Sequence, residues 1–307
     1  MDIIILIFGF SIGLVLLVKG ADEMVSSAIQ IALKFKLPSS IVGATFIGFG
    51  TSAPELFAST RAALKGDLDL GIGNIVGSNI ANSLLVVAVL YLALPKDYSK
   101  KINLNKISPT WMAILTTIFV STYVLTNKFP FLLGVALLVL VLYVIYKMIS
   151  SESDGEEDLI EEEKSYVWLR GGMSLVATLY GSQLVVENAV EIASIFGVSS
   201  LVIGSTIIAI GTSLPEVAGT ISAAKMRKPD IVFGNIFGSN LFNIGLVGGA
   251  AIMISPGEIS SVIDYQLFIM YFVSFIVIFL SRNIIKRNAI LGYVFIAVYV
   301  LFLISLF

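Results

Sequence analysis

Over its first three apolar segments, one half of this chain repeats the other in unbroken register. Gly20, Gly50, Asn74 and Pro95 recur as Gly181, Gly211, Asn235 and Pro256, each 161 positions later. The most alike stretches are Gly-Thr-Ser-Ala-Pro-Glu at Gly50 to Glu55 and Gly-Thr-Ser-Leu-Pro-Glu at Gly211 to Glu216. Each sets a proline and a carboxylate inside an apolar segment long enough to cross a bilayer. A charge at mid-membrane costs about 3 kcal/mol on insertion scales and more by other measures, so such a residue as a rule faces a partner, a cavity or an ion.

The chain reads as an all-α polytopic membrane protein. Hydrophobic residues make up 57% of it and charged ones 13%, against roughly 45–50% apolar content in a soluble domain. Apolar segments of about the 20 residues needed to span run over 3–35, 39–64, 70–94, 107–125 and 131–149, then 167–196, 200–224, 231–254, 264–280 and 289–306. The first lacks a basic leader and a small-residue cleavage site, so it reads as a retained helix. The division is a five-helix repeat over 1–149, an acidic cytoplasmic linker over 150–166 and a second five-helix repeat over 167–307. Five crossings separate equivalent helices, so the second repeat is inserted upside down, the plan of many secondary transporters.

Sidedness follows from the basic residues. Loops after odd-numbered helices hold Lys34, Lys36, Lys96, Lys100, Lys101, Lys106, Lys147, Lys164, Arg170, Lys225, Arg227, Lys228, Arg282, Lys286 and Arg287; the other side has little beyond Arg61, Lys65 and Lys128. The first set is therefore expected in the cytoplasm and both termini outside, in the cell membrane. A net charge of -2 points to no nucleic acid partner, and membrane lipid is the one surrounding the composition demands. Without cysteine or histidine, thiolate or imidazole chemistry is excluded and no nucleophile pair is left, so no enzyme is expected. Only hard oxygen ligands remain, suited to sodium, calcium, magnesium or manganese.

The repeated stretch suits such ions. Pro54 and Pro215 supply no N–H to the carbonyls of Gly50 and Gly211, so the helix kinks or opens, and bare carbonyls at membrane depth are tolerated where they line a cavity or bind a cation. At helical spacing Thr51 and Ser52 share a face with Glu55, and Thr212 and Ser213 with Glu216. The plain alternative is a proline kink with the hydroxyls bonded to backbone. The next helix of each half carries Asn74, Ser78 and Asn82, or Asn235, Ser239 and Asn243, as an i, i+4, i+8 stripe. Gly73 with Gly77, and Gly234 with Gly238, allow close helix approach. Here the alternative is amide bonding between helices; Asn79 and Asn240 lie one position off the stripe and read as packing support.

These paired motifs resemble those of the sodium/calcium exchanger, or cation/calcium antiporter, superfamily, in the prokaryotic form without a regulatory domain. The resemblance spans the architecture and is densest at Gly43 to Asn82 and Gly204 to Asn243. It implies about ten transmembrane helices as two inverted five-helix repeats, exchanging calcium for sodium at mid-membrane with no cofactor and no obligate protein partner. Carried over by position, the ion ligands are Thr51, Ser52, Glu55, Ser78 and Asn82, with Thr212, Ser213, Glu216, Ser239 and Asn243; the carbonyls of Gly48 and Ala209 are added candidates. Some relatives, the potassium-dependent branch among them, have aspartate where this chain has Asn243, which argues against potassium co-transport and leaves two site carboxylates. A proton/calcium antiporter is the alternative, but its usual Gly-Asn-Ala-Thr-Glu signature is absent. Helices one and six, with Gly9, Gly13, Gly20, Gly171, Gly172 and Gly181, are candidates for sliding elements. Lys19, Asp22, Glu23, Glu187 and Glu191 read as water-facing or interfacial.

Overall fold

The computed structural model describes residues 3–101, 104–150, 166–198, 209–282 and 284–306. The first half is built of α1 (Ile3–Phe35), α2 (Ser39–Thr51), α3 (Ala53–Leu64), α4 (Leu68–Ala93), α5 (Ile107–Thr126) and α6 (Phe131–Ile149). The second follows with α7 (Val167–Ile195), α8 (Leu214–Lys225), α9 (Pro229–Ile254), α10 (Asp264–Ser281) and α11 (Ala289–Ile304). Among the described residues six helices are each long and apolar enough to span, and the bent pair α2–α3 makes a seventh. With α7, about 44 Å long at 1.5 Å per residue, the segment ending in α8, and α11, the chain forms ten spans in two inverted sets. The acidic linker and residues 200–208 of the seventh expected helix lie outside the described residues.

Two short ribbons tie the halves together. Strand β1 (Ser99–Lys101) pairs with β4 (Ile284–Lys286), and β2 (Lys128–Phe129) with β3 (Gly257–Glu258). β1 and β4 follow the third and ninth crossings, β2 and β3 the fourth and eighth. Paired strands must share a side of the membrane, so the ribbons independently support the crossing count. The Arg227–Asp97 pair at 2.6 Å likewise joins the loops after the seventh and third crossings. There the guanidinium holds the Asp97 carboxyl below its ordinary value.

The repeat extends to strained backbone. Lys36 and Gly197 occupy equivalent turns with φ of 51° and 76°, and Gly66 and Arg227 with 79° and 58°. A left-handed residue costs about 1–2 kcal/mol unless it is glycine. In each pair glycine serves on one side, while a basic residue bears that conformation on the side the positive charges mark as cytoplasmic.

Packing between halves relies on missing Cβ atoms. α1 and α7 run antiparallel, and a Cβ on Gly13 would sit 2.9 Å from Gly181 O, one on Gly20 2.8 Å from Thr178 N. Glu23 of α1 pairs with Arg170 of α7 at 2.5 Å, both side chains partly exposed. α2 lies on α9 in the same intimate way: Gly43 meets Ile231, Gly234 meets Ser40 and Gly238 meets Ala44.

Candidate functional site

The helices break just before the prolines, which then stand at the start of new helices. Ser52 (φ -82°, ψ 0°) and Ser213 (φ -93°, ψ 3°) leave helical geometry, and Pro54 and Pro215 stand in the first turn of α3 and α8, where no N–H is needed. The first break turns the chain by 46°. Glu55 and Glu216 also fall in those first turns, where the helix dipole favours negative charge. The Gly211 carbonyl accepts a hydrogen bond from Ser182 Oγ of α7 at 3.1 Å. The residue equivalent to Ser182 is Ala21, so nothing in the repeat pattern announced this contact.

The breaks also redirect the hydroxyls. With Ser52 out of the helix, the Thr51 hydroxyl donates to Ile47 O at 3.0 Å. Ser78 Oγ donates to Glu55 Oε1 at 3.2 Å. Thr51, Ser52, Glu55, Ser213, Glu216, Ser239, Asn82 and Asn243 are buried, and Ser78 is nearly so. Thr212 is exposed, unlike its counterpart Thr51. The Gly48 carbonyl accepts from Ser52 N–H and from Ser239 Oγ, both at 3.2 Å. Ala209 opens the short turn Ala209–Gly211, and Ser213 N–H bonds Ile210 O at 3.1 Å.

Asn79 and Asn240, both fully buried, do more than support packing. Asn82 Nδ2 donates to Asn240 Oδ1 at 3.1 Å, and Asn243 Nδ2 to Asn79 Oδ1 at 3.0 Å and to Ser78 Oγ at 3.1 Å. Each half thus holds the other's asparagine by its amide nitrogen, which aims the carbonyl oxygen the opposite way. Ser83 accepts from Asn240 Nδ2 at 3.2 Å; its counterpart is Ile244, so the repeat carried no signal for it. Both asparagines begin π-helical turns, Asn82–Val86 and Asn243–Gly248, a local widening often found at functional sites.

Among the described residues, five buried oxygens from this region accept no hydrogen bond: Glu55 Oε2, Glu216 Oε2, Ser52 Oγ, Asn82 Oδ1 and Asn243 Oδ1. The two described ion pairs leave both glutamates without a lysine or arginine. Uncompensated buried carboxylates cost several kcal/mol each, and oxygens that lack donors are relieved by a hard cation, which takes six to eight of them if it is calcium. The donor set fits that ion class. If the amide pairs set the carbonyl directions, Asn79→Ala weakens calcium binding about 10-fold to 100-fold, as calcium titration calorimetry would show, with the fold retained.

Comparison with known proteins gives the same answer. The profile of the family described as sodium/calcium exchanger protein matches residues 5–151 and 166–307. The chain belongs to the sodium/calcium exchanger family. Within this family, Sodium/calcium exchanger MaX1 of Methanosarcina acetivorans is 31% identical over 96% of this chain and 97% of its own length. Inner membrane protein YrbG of Escherichia coli is 31% identical over 89% of this chain and 88% of its own. Among solved structures, the sodium-calcium exchanger NCX_Mj soaked with sodium and strontium superimposes with a TM-score of 0.83 at 28% identity, over 99% of this chain and 100% of that one. The exchanger architecture and the ten-span inverted repeat are thereby shared.

Proposed function

We propose that this membrane antiporter exchanges calcium for sodium by alternating access, with net charge movement and without potassium. The observation that carries this reading is the set of five unbonded oxygens, drawn from both halves and including both glutamates. Two carboxylates neutralise one calcium. Calcium is the cargo between Glu55 and Glu216, with Asn82 and Asn243 completing an oxygen cage. Sodium ions use overlapping sites, in which the same two glutamates are joined by oxygens of Thr51, Ser52, Ser78, Thr212, Ser213 and Ser239 and the carbonyls of Gly48 and Ala209. Because the two ions share ligands, occupancy is mutually exclusive. Coupling then follows from their different preference for the two access states, since a ligand shifts an equilibrium only by that preference. More than two sodium ions per calcium make the exchange electrogenic. Asn243, neutral where the potassium-dependent branch is acidic, supports potassium independence. The charge distribution supports a cell-membrane protein with both termini outside.

Calcium-45 uptake into proteoliposomes tests the reading. An outward sodium gradient is expected to drive uptake, with or without potassium, and a positive-inside potential to change its rate. Uptake driven by an outward proton gradient alone overturns it in favour of proton/calcium antiport.

A further inference from the structure

The amides of Asn82 and Asn243 are held by different anchors. These two residues are counterparts, as are Asn79 and Asn240, but 161 positions after Ser83 stands Ile244. Asn82 Nδ2 donates to Asn240 Oδ1 at 3.1 Å, and Asn240 Nδ2 in turn donates to Ser83 Oγ at 3.2 Å. In the other relay Asn243 Nδ2 donates to Asn79 Oδ1 at 3.0 Å, while Asn79 Nδ2 reaches Met270 Sδ of α10 at 3.6 Å and the Asn240 backbone carbonyl at 3.5 Å.

All six side chains are buried, so bulk water does not replace an anchor that is lost. A hydroxyl oxygen is a full acceptor and a thioether sulfur a weak one, and 3.5 Å lies beyond the usual range of an N–H···O bond. The relay to Asn82 is therefore the firm one and the relay to Asn243 the loose one. Direction matters as much as strength. With Ser83 accepting, Asn240 keeps its oxygen towards Asn82, and Asn82 keeps its own oxygen free; among the described residues Asn82 Oδ1 accepts no hydrogen bond. Without that acceptor Asn240 would leave a buried N–H unpaired, which proteins tolerate less than an unpaired carbonyl. Its amide would turn over and turn Asn82 with it, bringing Asn82 Nδ2, a donor with no acceptor capacity, to where Oδ1 now stands.

On the exchange reading above, in which both asparagines ligate the cargo, we propose that Ser83 is a positioning residue that acts through Asn240 to hold the Asn82 carbonyl towards the cation. Asn82 is then the fixed amide ligand of the cage. Asn243, anchored through a sulfur and a long contact, is the one that adjusts.

Calcium titration calorimetry on the purified full chain tests this. Ser83→Ala should weaken calcium binding about fivefold, the worth of one hydrogen bond. A defect in packing alone would show whichever ligand is present, whereas a positioning residue is coupled to the ligand it holds. In an Asn82→Ala background, where that amide is gone, Ser83→Ala should therefore cost nothing further; in an Asn243→Ala background it should still cost about fivefold. Met270→Leu, of similar volume and lacking only a weak acceptor, should change the affinity no more than about twofold. If Ser83→Ala folds poorly, Ser83→Cys keeps the shape with a weaker acceptor and carries the same comparison. No loss on changing Ser83, equal losses in the two backgrounds, or a greater loss in Met270→Leu than in Ser83→Ala overturns the proposal. Binding that falls in Glu55→Gln but is indifferent to Ser83 refutes the positioning role and leaves the exchange reading standing, whereas a parent that binds no calcium refutes both.

Discussion

Glu55→Gln and Glu216→Gln should each abolish sodium-driven calcium uptake and weaken calcium binding on the order of 100-fold or more, since calcium affinity is set largely by ligand charge count. The expected size follows from the site's electrostatics. Both carboxylates are 2% exposed, Ser78 is the neighbour that donates to Glu55, and no cationic side chain is among the described ion pairs that could share the work. Removing one leaves a single negative charge to face a divalent cargo. Loss of function through unfolding predicts a different pattern. The glutamine keeps the shape and removes a buried charge, so the ion-free variant should melt no lower than the parent. What should vanish is stabilisation by calcium, about 2.7 kcal/mol at a hundredfold excess over Kd in the parent. Thermal melts with and without calcium check this, and a variant that keeps both the calcium-induced shift and uptake would remove the glutamates from the site.

The second large effect is expected from one chemical change made at two equivalent positions. Gly234→Ala places a Cβ 2.8 Å from Ser40 C and Cα. Those are backbone atoms of a helix packed on α9, so they cannot rotate aside. The helix must shift, and the Ser239 to Gly48 contact beside the site goes with it. Overpacking costs about 1–3 kcal/mol where side chains can adjust, so a loss at or above that range is expected, with a lower melting temperature and little exchange. Gly73→Ala, 161 positions earlier, meets nothing within 4 Å among the described residues. It should melt at or slightly above the parent, because alanine is the better helix former by about 0.5–1 kcal/mol. Differential scanning fluorimetry with calcium-45 flux on the two variants would show the contrast, and equal melting losses would remove the asymmetry on which it rests.

Much of the architecture was legible because a bilayer narrows the choices. Apolar length marks the spans, the odd number of crossings between copies forces inversion, and basic residues mark one side; the pairing of β1 with β4 and β2 with β3 agrees with all three. The site was legible as a list of oxygens, because a carboxylate within a span needs a reason and a duplicated one needs the same reason twice. The wiring among them was not legible. The chain leaves helical geometry at Ser52 and the Thr51 hydroxyl bonds Ile47 O, which a spacing rule for continuous helices cannot anticipate. Asn79 and Asn240, one position off the polar stripe, orient Asn243 and Asn82 across the interface, a choice made by the register of one helix on another.

The sequence by itself determined which residues recur, how the second copy is inserted, and which atoms can hold a hard cation. Those follow from local chemistry and from counting. Tertiary structure decided which half holds which partner. The motifs the repeats share contain no local difference that chooses; the choice is made where α2 packs on α9 through Gly43, Gly234 and Gly238. Backbones packed in contact leave no room for an intermediate arrangement, so this register fixes which residues of the two halves meet.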